Sequence, residues 1–236
     1  MGLTQTQEYY LQTMGVDVYR SRDRTLDDPA SNSDEVRTAS VRVPETTVQE
    51  SEIWRDLRQR VAKCQQCELH RERTQTVFGV GDHHADWLII GEAPGAEEDK
   101  QGEPFVGRAG KLLNNMLFAL GLQREQVFIA NILKCRPPKN RDPKPEEVSA
   151  CSSYLREQID LIQPKIILAV GRIAAQNLMK TETPIGKMRG RRYQYADTGI
   201  PVVVTYHPAY LLRSPREKRK VWQDLQLAMR VYKETA

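Results

Sequence analysis

Four short apolar runs set the strongest limit on what this chain can become: Trp87-Leu88-Ile89-Ile90, residues 127–132, residues 166–170 within "KIILAVG", and residues 201–205. Stretches of helical periodicity fall between or after them, and the spacing predicts helices over 108–120, 145–162, 171–179 and 216–232. Strands that are near-continuously apolar need cover on both faces. The pattern therefore predicts an α/β fold, a three-layer α/β/α sandwich around a central, mainly parallel four-stranded sheet. Ligands of such a sheet gather at the carboxyl ends of its strands, which singles out the loops 91–107, 131–144 and 206–213.

The first fifty residues are of another kind. They carry nine acids and five bases, a net charge of −4, so with +4 overall the remainder stands near +8. "RSRDRTLDDPASNSDEVRTASVRVPETTVQE" has neither helical nor strand period and reads as a disordered linker. The expected division is a disordered acidic extension, 1–50, and a globular domain, 51–236. Within the extension, Tyr10, Leu11, Met14, Val16 and Tyr19 form an apolar set on a segment too short to hold a helix alone. No run of eighteen apolar residues and no signal-peptide pattern is present, so the expected location is the cytoplasm, with no membrane contact.

In a reducing compartment four cysteines are ligands or buried thiols rather than disulfides. Ser51 is expected to cap a helix with Ile53, Trp54, Leu57 and Val61 at helical spacing, delivering Cys64 and Cys67 at its end. Cys135 follows the second apolar run, and Cys151 lies on the helix after Pro145. Four thiolates suit a four-iron, four-sulfur cluster and tetrahedral zinc equally well.

The first loop, "GEAPGAEEDKQGEPFVGRAG", fits neither G-x-G-x-x-G nor a P-loop. Its five carboxylates, Glu92, Glu97, Glu98, Asp99 and Glu103, repel phosphate unless a metal intervenes, and alone they read as a solvated acidic turn. The other two loops bring Asn131 in "NILKCRPPKN" and His207 in "HPAYLLR" to strand ends. These three motifs, in this order and with Cys64-x-x-Cys67, Cys135 and Cys151, resemble the family 4 uracil-DNA glycosylases, the iron-sulfur branch of the uracil-DNA glycosylase superfamily. The likeness runs from about Ile53 to about Tyr232.

That resemblance implies an enzyme of bacterial cytosol or nucleoid that flips uracil out of DNA and hydrolyses its N-glycosidic bond, leaving an abasic site. Phe105 would stack on the flipped base. Asn131 would donate to O4 and accept from N3–H, a pattern that cytosine reverses. Glu98 would sit against C5 and exclude the thymine methyl group. His207 would donate a hydrogen bond to O2 as charge develops there. Where other branches carry an aspartate this chain has Ala93, so the attacking water falls to backbone around Glu92 and Ala93 or to Glu92 itself. The cysteines would hold a structural 4Fe-4S cluster. Arg136, Lys139, Arg141 and Arg213 are candidate phosphate contacts, with Arg189, Arg191 and Arg192 as further bases. Leu211 or Leu212 would fill the gap left by the base, unless the core claims them. The closing helix is expected to turn Val221, Trp222, Leu225 and Met229 inward.

Two other readings stand beside this one. A covalent uracil-DNA binder would carry a basic insertion in the first-loop region, which this chain lacks. A non-catalytic, replication-associated DNA-binding module would have no use for Phe105, Asn131 and His207 together. Residues 8–20 resemble the peptide by which the psi subunit of the bacterial clamp loader grips the chi subunit of DNA polymerase III. The expected state is a monomer.

Overall fold

The computed structural model describes residues 45–196 and 198–235, so the partner-binding segment expected at 8–20 lies outside the described residues. Helix α1, Glu45–Ala62, opens the compact unit Pro44–Ala236. It begins earlier than expected, and Ser51 lies inside it rather than at its cap. Trp54, Leu57 and Val61 are buried, whereas Ile53 is left exposed.

Six strands form one sheet: β1 Val80–Gly81, β2 Trp87–Gly91, β3 Phe128–Asn131, β4 Ile166–Val170, β5 Arg192–Gln194 and β6 Pro201–Thr205. Their order is β1-β3-β2-β4-β6-β5. The four expected strands make the centre, parallel throughout, and every residue in them is buried. The two short additions pair antiparallel at the edges and close off exposed hydrogen-bonding groups.

Alternate residues of the central strands feed opposite layers. Leu88, Ile90, Phe128, Ala130, Ile167 and Val202 pack with α1, α4 (Pro145–Ile162) and α5 (Arg172–Met179). Trp87, Ile89, Ile129, Leu168 and Val203 pack with α3 (Arg108–Ala119) and α8 (Lys218–Thr235). The three-layer sandwich is thus observed. Helix α8 turns Val221, Leu225, Ala228 and Val231 inward, but Trp222, expected on that face, is 43% exposed. Three short helices complete the unit: α2 Ala96–Gln101, α6 Ile185–Met188 and α7 Pro208–Arg213. Among the described residues no helix is long and apolar enough to cross a membrane.

Because the central strands are parallel, Gly91, Asn131, Val170 and Thr205 all end at one edge. Register sets Gly91 beside Asn131 and Val170 beside Thr205. The three singled-out loops start there.

Candidate active site

One open cleft at this edge is lined by Glu92, Ala93, Glu98, Phe105, Asn131, Arg141, His207 and Arg213, eight residues drawn from all three loops. Asn131, the last residue of β3, is 2% exposed, and its Oδ1 has no hydrogen-bond partner. A buried, unpaired amide oxygen costs free energy unless a ligand satisfies it. Gly91 explains how the amide fits: a Cβ there would lie 2.4 Å from Asn131 Oδ1 and 2.6 Å from Phe105 Cζ. The glycine makes room for both side chains against the strand end.

Phe105 is held in the left-handed region, φ 54°, where a bulky residue is strained and needs support from its surroundings. The support is visible. Gly110 on α3 leaves space for the Phe105 carbonyl, which a Cβ would meet at 1.8 Å. Arg124 donates to the Pro104 carbonyl at 2.5 Å and to that of Phe105 at 3.4 Å. Glu98 accepts from the backbone N–H of Gly95, Val106 and Gly107 at 3.0–3.2 Å, joining the start of α2 to the residues after Phe105. Glu98 lines the cleft as expected, but its carboxylate is spent on the loop's own backbone. Its geometry is that of a clamp rather than a free base-edge group.

His207 lies beyond β6 at the N-cap of α7. Its Nδ1 accepts from the Ala209 N–H at 3.1 Å, so in a neutral ring the proton sits on Nε2. Burial, reinforced by nearby Arg213 and opposed by Glu98, pushes its pKa down to about 4. The imidazole is therefore neutral near pH 7, with Nε2–H as a donor. Its ring stacks against that of Phe105, with centroids 5.5 Å apart and the planes tilted by 29°. Gly171, φ 99°, permits the approach, since a Cβ there would meet His207 Cβ at 3.0 Å.

Glu92 follows Gly91 directly. Burial, with a smaller push from Asp142 and a pull from Arg172, raises its carboxyl to about 7. Arg172 donates to Asp142 at 2.5 Å. Asp142, Asn140 and Tyr210 also line the cleft; they stand in the singled-out loops, but nothing in their spacing marks them out.

The basic and apolar candidates divide. Arg213 and Lys139 are exposed, and Arg136 is half-buried with Nε on Asn140 Oδ1 at 2.7 Å. Arg141 makes a two-pronged bond to buried Glu147, at 2.9 and 2.5 Å, which pins the loop to α4 and offsets the charge expected for phosphate. Arg189 is likewise paired with buried Asp224 at 2.9 Å. Leu211 is 1% exposed and packs in the core, correcting its candidacy as a wedge; Leu212, at 38%, stays outside.

Cys64, Cys67, Cys135 and Cys151 line one small pocket together with Arg73, Lys134 and Tyr154. All four are free thiols. Arg73 Nη1 donates to Cys135 Sγ at 3.0 Å while Nη2 holds the carbonyls of Ala62 and Cys64 at 3.1 and 2.8 Å. Burial raises the thiols of Cys67, Cys135 and Cys151, the last to about 11, so a bound cation would have to displace their protons. A tetrahedral zinc wants four sulfurs ~2.3 Å from one point. Among the described residues no three metal-ligating side chains are gathered so as to hold a single ion. Four cysteines around one pocket, with Arg73 Nη1 donating to Cys135 and the Lys134 N–H to Cys151, are a donor set that suits a thiolate-bound group.

A model of the uracil DNA glycosylase superfamily matches residues 78–226. A type-4 uracil-DNA glycosylase of Archaeoglobus fulgidus is 46% identical over 175 residues, covering 72% of this chain and 88% of that protein. A type-4 enzyme of Thermotoga maritima is 43% identical over 180 residues, covering 75% and 93%. A type-5 uracil-DNA glycosylase of Pyrobaculum aerophilum is more distant, 34% identical over 148 residues, covering 56% and 64%. The chain therefore belongs to the uracil-DNA glycosylase superfamily and, within it, to the type-4 family.

Proposed function

We propose that this protein is a DNA-repair glycosylase that takes uracil out of the helix and hydrolyses its N-glycosidic bond, leaving an abasic site. The observation that carries the reading is the unpaired Asn131 Oδ1, buried at the floor of a cleft beside Phe105 and His207. Uracil N3–H satisfies that oxygen, and the amide N–H donates to O4. Cytosine presents the opposite pattern and would leave both groups mismatched. Phe105 stacks on the ring, a contact worth ~1–3 kcal/mol per base. As the bond breaks, negative charge moves onto the uracil ring, and His207 Nε2–H donates to O2 without transferring a proton. Glu92, held near neutrality, positions the attacking water beside Ala93.

The cysteine set is read as the seat of a 4Fe-4S cluster, a cross-link that ties the end of α1 to the 131–144 loop and α4. The exposed Lys139, Arg213 and Leu212 face the DNA as phosphate contacts and wedge. Incubating the purified protein with a uracil-containing oligonucleotide and then with alkali tests the reading. Strand scission at uracil is expected; an intact strand, or a heat-stable protein–DNA adduct, overturns it.

Residues 8–20 are read as a tether for the chi subunit, raising the local concentration of a monomeric enzyme near the replication fork. A peptide spanning 1–26 should bind purified chi. Absence of binding at high micromolar peptide, or binding unaffected by changing Leu11 and Tyr19 to alanine, removes that role.

A further inference from the structure

Lys134 is 1% exposed and lies three residues beyond Asn131. Nζ donates to the Asn131 carbonyl at 3.0 Å and to Gln158 Oε1 at 2.6 Å. Gln158, itself fully buried, is fixed by its Nε2 donating to the Phe78 carbonyl at 3.0 Å. The Lys134 backbone N–H donates to Cys151 Sγ at 3.3 Å, and its carbonyl accepts from Val77 at 2.8 Å. The residue thus touches the base-reading strand end with its side chain and the cysteine pocket with its backbone.

Both oxygens on the ammonium are neutral, and among the described residues no carboxylate pairs with it. A buried ion without a counter-charge costs several kcal/mol. The lysine lines the same pocket as the four cysteines, and once these hold a metal group they are thiolates. Their negative charge is the counter-charge that the lysine otherwise lacks.

We propose that Lys134 is a positioning residue joining the two pockets: its ammonium balances the thiolates and, by holding the Asn131 carbonyl, fixes where the Asn131 amide meets the base. This rests on the reading of the cleft as a uracil site. The amide oxygen and the Phe105 ring both crowd Gly91, where even a Cβ would meet them at 2.4 and 2.6 Å. A shift of the strand end moves that oxygen directly, and a displacement of ~1 Å in a positioned group can cost about 100-fold in rate.

The test compares the full-length protein, purified without oxygen, with Lys134→Met and Gln158→Leu. Lys134→Met keeps the length of the side chain but removes its charge and both hydrogen bonds. Expected are unchanged iron per chain and a midpoint potential shifted to more negative values, because a positive charge that favours the reduced state has gone. Single-turnover uracil release at saturating DNA should fall by about 10- to 100-fold, with the Kd for the oligonucleotide changed less than about twofold. Gln158→Leu keeps the charge, so it should slow release by a smaller factor and leave the potential alone. Parental rate and potential in Lys134→Met overturn the proposal. If that variant does not fold, a parental rate in Gln158→Leu overturns it instead. Iron-free parental protein removes the counter-charge argument. A parental protein that holds iron but releases no uracil overturns the proposed function and the positioning role with it; a potential shift in Lys134→Met would then support the counter-charge alone.

Discussion

The two pockets on either side of Lys134 treat their polar groups in opposite ways. Around the cysteines the partners are in place: Arg73 reaches a thiol and two carbonyls, and Cys151 accepts a backbone N–H. In the cleft the groups are left wanting, with Asn131 Oδ1 unpaired and Glu92 raised to about 7. A saturated site holds a shape, whereas an unsatisfied one awaits a ligand. The two are also joined along a second route. Thr74, next to Arg73, donates its N–H to buried Asp99 on α2 at 3.0 and 3.1 Å, and Glu98 beside it clamps the Phe105 turn. Damage to the first pocket should therefore reach the second, while damage to the second should stay local.

The largest effect expected from this contrast is that of Cys135→Ala. On the proposed reading Cys135 is one of four ligands, and its removal loosens the group that would tie α1, the 131–144 loop and α4 together. Iron content should fall, and the melting temperature should drop by more than 10 °C, equivalent to several kcal/mol for a domain of this size. Melting and iron content equal to the parent's would show that the pocket is not what holds the domain. Asn131→Ala should do the converse, leaving iron and melting temperature near parental. Two buried hydrogen bonds to the base edge are lost, each worth ~1–3 kcal/mol, so single-turnover uracil release should fall about 1000-fold. Unchanged release would take Asn131 out of the site.

His207→Ala should lower the cleavage rate at saturating DNA by about 100- to 1000-fold, the loss of one preorganised donor, with affinity for DNA mostly kept. A variant as fast as the parent would end the O2 role. In the parent, the pKa of about 4 keeps the ring neutral at higher pH, so this group should add no pH dependence above about pH 5.

These residues also mark how far the sequence could be read. The central strands were legible because their positions are apolar except for Asn131 and Thr205 at the ends of β3 and β6, and parallel strands deliver Asn131 and His207 to one edge. β1 and β5 are only two and three residues long, too short to carry a period. The helical spacing that buried Trp54, Leu57 and Val61 suggested the same for Ile53 and Trp222, but only the packed layers decide how wide the buried stripe is. Site residues were legible by type but less so by role. Glu98 and Arg141 look like free charges until the fold brings three N–H groups to the one and buried Glu147 to the other. Arg73 and Lys134 gain their meaning only from tertiary contacts.

Glu92 sets a smaller, graded expectation. If its carboxylate positions water, the log of the cleavage rate should rise with pH, about tenfold per unit, until about pH 7 and then level off. Glu92→Gln should flatten that profile and lower the plateau. The stability effect has the opposite sense. The folded protein holds this proton to about pH 7, above the ordinary carboxyl range, so the folded state binds more protons and stability falls as pH rises through that window. Glu92→Gln should melt higher than the parent at pH 8. A parental rate profile that stays flat between pH 5.5 and 8 would assign the water to the backbone around Ala93.

The smallest effect is that of Leu212, which stands beside Leu211 on α7. Leu211 is 1% exposed and Leu212 38%, so the same substitution removes core packing at one and a surface group at the other. Leu211→Ala should cost about 2–5 kcal/mol of stability, the usual range for a cavity in a packed core. Leu212→Ala should leave the melting temperature within about a degree. If Leu212 enters the helix as the base leaves, the variant loses part of one leucine's burial, about 1 kcal/mol or roughly fivefold in release from duplex DNA. Single-stranded DNA has no stack to refill, so release from it should not change. The ratio of duplex to single-strand rates is the measurement. An equal loss on both substrates, or none on duplex, would leave Leu212 without a role as a wedge, and the cleft would then have to hold the flipped base through Phe105 and Asn131 alone.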